Sequence, residues 1–178
     1  MKRPMNLPPL VAQARLDSPL GTITVAATDV GLAGLWFDGQ AHHPGALDVA
    51  VDDAQRFVAQ ARDELARYWN DDLQDGFEVP LDAHGTAFQH AVWRTLRNIA
   101  HGHTCTYAAV AAAVGRPRAV RAAATAIARN PLSIIVPCHR VIGGDGSLTG
   151  YAGGLARKQA LLWHERTWAT PTHRQRAQ

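Results

Sequence analysis

Between Gly21 and Phe37 the chain holds two short runs dense in apolar and β-branched residues, GTITVAAT and LAGLWF. The turn Asp29–Val30–Gly31 separates them. Such residues suit a pleated, buried surface, so the pair predicts a β-hairpin with strands over Gly21–Thr28 and Leu32–Phe37. From Asp52 to Asn70 the period changes. Ala54, Phe57, Val58, Ala61, Leu65 and Tyr68 fall at helical spacing, which predicts an amphipathic helix capped by Asp52 or Asp53. FEVPL, Phe77–Leu81, is expected as a third strand. The opening MKRPMNLPPLVAQA has three prolines and only a weak apolar stretch. It reads as a disordered or loosely packed leader, too interrupted for a secretory signal.

Past Gly85 the pattern becomes helical. Phe88, Ala91, Val92, Leu96 and Ile99 share one face, with Thr86 as N-cap and Gly102 as stop. An alanine-rich helix is expected over about Tyr107–Val114, ending at Gly115. Pro117 suits the start of a second helix running to about Arg129. Helix, glycine turn, helix is the pattern of a helix-turn-helix, and equally of a plain helical hairpin. Leu132–Val136 reads as a short buried strand. Six glycines in the twelve residues Gly143–Gly154 predict a mobile or tightly turned loop. LARKQALLWHE reads as a last helix ending near Glu165, followed by a basic tail. The fold class is thus an α/β N-terminal domain built on a small antiparallel sheet, then a mainly α domain with a helix-turn-helix. The expected domains are 1–82 and 83–168, with a tail over 169–178.

Composition sharpens this division. The chain has 178 residues and a net charge of +3. Residues 1–82 carry 6 Lys/Arg against 13 Asp/Glu, whereas residues 83–178 carry 12 against 2. A basic, acid-poor half suits a polyanion, above all nucleic acid. Arg116, Arg118, Arg121 and Arg129 cluster around the second alanine-rich helix. Ala119, Ala122, Ala123 and Ala126 would let that helix approach a surface closely. No aromatic ladder interleaves the arginines, which disfavours single-strand stacking. No apolar run is long enough for a membrane span, so no membrane partner is expected. Two cysteines, Cys105 and Cys138, make no disulfide framework, and a reduced cytoplasmic setting is the expectation.

The chemistry concentrates in SIIVPCHRVIGG, Ser133–Gly144. A cysteine after an apolar strand is commonly an inert core thiol. Here Pro137 stiffens the approach, and His139 and Arg140 are neighbours able to lower a thiol pKa, so a nucleophile is the other reading. Neighbours on a regular strand face opposite ways, so Cys138 and His139 cooperate only if the backbone turns. Glu165 could orient His139 in a Cys–His–Glu relay. His42 and His43 lie in a loop without a third ligand at metal spacing, so no metal is expected there.

These residues carry a resemblance. IIVPCHRVIGGDGSLTGYAGGLARKQALLWHE resembles the active-site region of the O6-alkylguanine-DNA alkyltransferases. The PCHRV core, GYAGG, the final RKQ and HE, and the upstream GTAFQHAVW and TYA segments follow that family from about Gly85 to Glu165. The acidic half fits the family's N-terminal domain, a ribonuclease H-like arrangement, by position only.

The resemblance implies repair of double-stranded DNA containing O6-alkylguanine, and O4-alkylthymine as a further substrate. It implies a minor-groove helix-turn-helix, winged-helix-like, that flips the base, and one irreversible alkyl transfer to Cys138 without a cofactor. His139 would take the thiol proton through a water, and Glu165 would balance the imidazolium. Asn130 would hold the active-site loop, and Tyr107 would contact the flipped guanine. Arg121 would fill the gap in the stack, with Ala119 and Ala122 against the groove. Backbone groups of Val141 and Ala152 and the ring of Tyr151 match guanine-binding positions, Lys158 also matches the family, and Lys158 and Arg140 are placed on the substrate and DNA side. A monomer is expected, with cooperative binding along DNA open. Residues 1–104 hold no cysteine, so the zinc site of some members is not expected, nor is the cysteine-rich phosphotriester domain of others. Cys105 reads as a structural thiol. A lesion-binding regulator without activity and a cysteine hydrolase are the competing readings, and turnover number separates them.

Overall fold

The structure is a computed structural model that describes residues 7–73 and 76–169, with the side chains of 168 and 169 excepted. It divides into two compact units. Among the described residues, one comprises those up to Thr86 together with Pro131–Ser133, and the other comprises 87–130 and those from Ile134 onward.

The first unit is a three-stranded antiparallel sheet in the order β1 (Ala12–Leu16), β2 (Ile23–Ala27), β3 (Leu32–Phe37), with helix α1 (Arg56–Trp69) packed on it. The expected hairpin is β2–β3. Its register pairs Ile23 with Phe37 and Val25 with Leu35, with a bulge at Ala26/Ala27. Every residue of β2 and β3 is buried, so both faces of the sheet are covered. Gly34 has no Cβ because the Trp36 ring lies over its backbone.

Three expectations for this unit change. The end of the leader is part of strand β1, Ala12–Leu16; residues 1–6 lie outside the described residues. Its buried positions are only the alanines Ala12 and Ala14, a weak signal, yet Gln13 donates from Nε2 to the carbonyls of Leu47 and Val49. The cap of α1 is Gln55, whose Oε1 accepts from the backbone N–H of Phe57 (2.8 Å) and Val58 (3.1 Å), while Asp52 accepts from Ala54 N–H. Phe77–Leu81 is not a strand. Glu64, buried on α1, accepts the N–H groups of Glu78 and Val79 that a ladder would have used, and Pro80 has none to give. One bridge, Leu32 to Leu81, remains.

The second unit is helical. It contains α2 (Ala87–Arg97), α3 (Tyr107–Ala113), α4 (Val120–Ala128) and α5 (Leu155–Ala169). A two-residue parallel pair joins β4 (Cys105–Thr106) to β5 (Val141–Ile142). Helices α2, α3 and α4 pack together, and the Trp93 indole donates to the Ala126 carbonyl at 2.9 Å. Thr106 caps α3, its Oγ1 accepting from Ala109 N–H. Gly115, at φ 72°, ends α3 in the left-handed region where a glycine costs nothing. Pro117 lies in the turn before α4 rather than in its first turn. The Ala119 N–H closes that turn on Arg116, and the helix starts at Val120. The last helix runs past Glu165 to Ala169, and residues 170–178 of the expected tail lie outside the described residues. No helix among the described residues is long and apolar enough to cross a membrane.

Candidate active site

The run Leu132–Val136 is not a strand. Residues 131–133 lie along β3, where Leu35 N–H donates to Pro131 and Ser133 N–H donates back to Leu35. Ile134 then takes φ 70°. A β-branched residue there costs on the order of 1–3 kcal/mol and persists only where its surroundings fix it. Ile134 is 1% exposed, and Asn130 Nδ2 holds the Val136 carbonyl at 2.8 Å. The kink leads into a single 3₁₀ turn, Cys138–Arg140, instead of an extended end. That turn is what frees Cys138 and His139 from the opposed directions of a strand.

Five groups meet around this turn. Asn130 Nδ2 donates to Cys138 Sγ at 3.1 Å. His139 Nε2 lies 2.6 Å from Glu165 Oε1. Arg140 donates from Nε to Glu165 Oε2 at 2.8 Å and from Nη2 to Oε1 at 2.9 Å. The Arg140 Nη1 reaches the Ile99 carbonyl at 2.6 Å, and Gly102 N–H donates to Glu165 Oε2 at 3.3 Å. His139 and Glu165 are fully buried.

Charge fixes the protonation states. Burial alone would push the Glu165 carboxyl up, but His139 and Arg140 donating to it drive it well below the usual carboxylate range. Glu165 is therefore an anion at neutral pH. Burial pushes the His139 imidazole down, and Glu165 only partly opposes this. A neutral His139 facing an anion carries its proton on Nε2. Its Nδ1 is buried without a hydrogen-bond partner and holds the free lone pair. Burial also pushes the Cys138 thiol up, with the Asn130 hydrogen bond and the Lys158 charge working against it. The resting group is thus a thiol beside an imidazole with one vacant basic nitrogen.

A second cluster holds the glycine loop. Lys158 is fully buried, and its Nζ donates to the carbonyls of Val141 (2.5 Å), Thr149 (2.6 Å) and Gly150 (3.4 Å). The Tyr107 hydroxyl meets the Thr149 and Gly150 carbonyls at 2.9 and 3.1 Å. Burial pushes this phenol up, so it stays protonated. The Tyr151 ring stands edge-on to His139, 6.4 Å between centroids, and bends over Gly153, where a Cβ would strike it. Ala152 beside it is half-buried.

On α4 the expected faces separate. Arg121 and Ala122 are exposed and Ala119 is half-exposed, with Arg116 and Arg118 exposed just before them. Ala123 and Ala126 are not on that surface but in the core. Arg140, expected on the DNA side, is 9% exposed and donates two hydrogen bonds to Glu165. Sequence reading missed Ile99 and Gly102, whose backbone groups tie this ion pair. A backbone contact leaves no side-chain signature, so no motif could have shown them. Cys105 is half-buried, and burial pushes its thiol up. Among the described residues no group of three His, Cys, Asp or Glu is placed to hold a metal ion. His43 instead accepts the Gly45 N–H.

Residues 87–167 match the family described as 6-O-methylguanine DNA methyltransferase, DNA binding domain, and residues 11–83 match its ribonuclease-like domain. A methylated-DNA–protein-cysteine methyltransferase of Mycolicibacterium paratuberculosis is 41% identical over 88% of this chain and 93% of its own length. One of Methanosarcina barkeri is 41% identical over 83% of this chain and 92% of its own. Among solved structures, the Mycobacterium tuberculosis OGT in complex with DNA superposes with a TM-score of 0.81. It is 40% identical and covers 90% of this chain and 96% of its own.

Proposed function

Since the chain belongs to the 6-O-methylguanine DNA methyltransferase family, we propose that it repairs O6-alkylguanine in double-stranded DNA by moving the alkyl group onto Cys138, once per molecule. The observation that carries this reading is the buried set Asn130–Cys138–His139–Glu165, with the one vacant basic nitrogen on His139.

The exposed face of α4 approaches the duplex, with Ala119 and Ala122 permitting close contact. The damaged base leaves the stack, because its O6 substituent is out of reach inside it. Arg121, exposed in the first turn of α4, fills the space with a flat guanidinium. The flipped base enters a pocket walled by Tyr151, Val141, Ala152 and the loop that Lys158 and Tyr107 hold.

The Cys138 proton passes to His139 Nδ1, directly or through a water. The imidazolium forms already bonded to the Glu165 carboxylate. Asn130 Nδ2 stabilises the thiolate by donating to it, and the buried Lys158 ammonium adds a favourable field. The thiolate attacks the alkyl carbon. The carbon–oxygen bond breaks, its electrons stay on the guanine O6, and a thioether remains on Cys138. The departing base recovers a proton, and the neutral Tyr107 hydroxyl can supply it once released from the loop carbonyls. Nothing in this sequence regenerates a thiol from a thioether. O4-alkylthymine presents the same alkyl–oxygen bond and is included in the proposal.

Titration of damaged duplex with protein tests stoichiometry. Restored guanine should rise with added protein and plateau at one per chain, with no further repair on longer incubation. Repair continuing beyond that ratio would refute single use.

A further inference from the structure

The end of β3 carries a side chain that no step of the proposed transfer uses. Phe37–Gln40 forms a tight turn, closed by the Gln40 N–H on the Phe37 carbonyl at 3.1 Å, with Gly39 at φ 73°. A glycine takes that angle at no steric cost. The turn folds the Gln40 side chain back against the end of β3, where it is 6% exposed. Its Oε1 accepts two donors, the Phe37 N–H at 2.8 Å and the Ser133 hydroxyl at 3.1 Å. Its Nε2 is buried and makes no hydrogen bond among the described residues, so the oxygen alone ties the carboxamide.

Ser133 is fully buried and is the residue before the kink. Its N–H donates to the Leu35 carbonyl at 2.9 Å, and Ile134 then adopts φ 70°. A β-branched residue keeps that angle only under outside constraint. Side chains supply hydrogen bonds on either side of it. Beyond Ile134, Asn130 donates to the Val136 carbonyl and the Cys138 sulfur; before it, Gln40 holds the Ser133 hydroxyl. We propose that Gln40 is a positioning residue for the reaction: by fixing Ser133 it sets the kink at Ile134 and so keeps Cys138 Sγ within reach of the Asn130 donor. This rests on the alkyl-transfer reading of the site. The effect runs along the chain from Ser133 to Cys138.

The test uses Gln40→Leu and Ser133→Ala, with Gln13→Ala as the control. The control loses two hydrogen bonds of the same unit, to the Leu47 and Val49 carbonyls. Single-turnover transfer from duplex O6-methylguanine, with DNA saturating, should slow at least about tenfold in both test variants at unchanged DNA affinity, because small displacements of a reacting group are costly. The double variant should be no slower than Gln40→Leu alone, since both changes remove one contact. Iodoacetamide modification of Cys138, mapped by mass spectrometry, should shift its midpoint to higher pH, because Asn130 then donates less well to the thiolate. Gln13→Ala should lose stability and keep both the rate and the midpoint. Unchanged rate and midpoint in Ser133→Ala, which deletes one oxygen, would overturn the role even if Gln40→Leu fails to fold. An equal loss of rate in the control would overturn it too. Absence of transfer in wild type would instead remove the reading it rests on, while the midpoint comparison still decides the role of Gln40.

Discussion

Replacing Glu165 by Gln keeps the shape of the side chain and removes its charge, which separates packing from electrostatics. Glu165 accepts from His139, twice from Arg140, and from Gly102, with no exposure to water. Breaking a buried pair by neutralising one partner costs about 3–5 kcal/mol, because the other charge stays buried. That is a large part of the roughly 5–15 kcal/mol of a whole domain. The chemical step suffers separately. A charge-assisted hydrogen bond to the forming imidazolium is worth about 1.5–3 kcal/mol, or about 10- to 150-fold in rate. Urea unfolding should show the stability loss. Single-turnover transfer at low temperature, on protein shown folded by circular dichroism, should show the rate loss. The pH dependence adds a sign. The folded carboxyl lies below its unfolded value, so its contribution is fully present above about pH 4.3 and is lost as pH falls further. In Glu165→Gln that acid-limb slope should disappear. A folded Glu165→Gln protein with wild-type rate would refute the relay.

Asn130→Ala removes two buried hydrogen bonds, one to Cys138 Sγ and one to the Val136 carbonyl, which keeps its bond from the Cys138 N–H. It should lose about 1–3 kcal/mol in unfolding experiments and react at least about tenfold more slowly. Arg121→Ala should weaken repair in duplex DNA far more than reaction with a free O6-alkylguanine base; equal losses would refute an intercalating role. Lys158→Met keeps the stem but strips the carbonyls of Val141, Thr149 and Gly150 of their shared donor. Amide exchange across residues 143–150 should speed up, and transfer should slow. The imidazoles of His139 and His101 are both lowered in the fold, so the unfolded chain binds more protons below about pH 6.5. Thermal stability should therefore fall as pH drops from 7 to 5, and a flat profile would contradict neutral histidines at this site.

The hairpin and the helices were readable because their periods are local: β-branched runs for β2 and β3, and three-to-four spacing for α1 and α2. The losses have one physical origin. Phe77–Leu81 looked like a strand, but a distant glutamate, Glu64, took its backbone donors. Ala12–Ala14 looked like the end of a leader, because alanines carry little signal until a neighbouring strand buries them. The segment before Cys138 looked extended, whereas long-range anchoring forces Ile134 into the left-handed region. The residues that the fold gathers around Cys138 were legible through the PCHRV and HE motifs. The contacts of two of them were not. Arg140 and Lys158 were placed on the substrate and DNA side, and nothing local in the sequence shows that Arg140 donates to Glu165 or that Lys158 donates to three carbonyls.

The most direct measurement is to locate the transferred group. The protein is incubated with duplex DNA whose O6-methylguanine carries an isotopic label in the methyl group, then digested and mapped by mass spectrometry. The label should sit on the peptide containing Cys138, one per chain, and be lost with Cys138→Ala. Label on another residue, or label released to water while repair continues, would contradict Cys138 as the single-use acceptor.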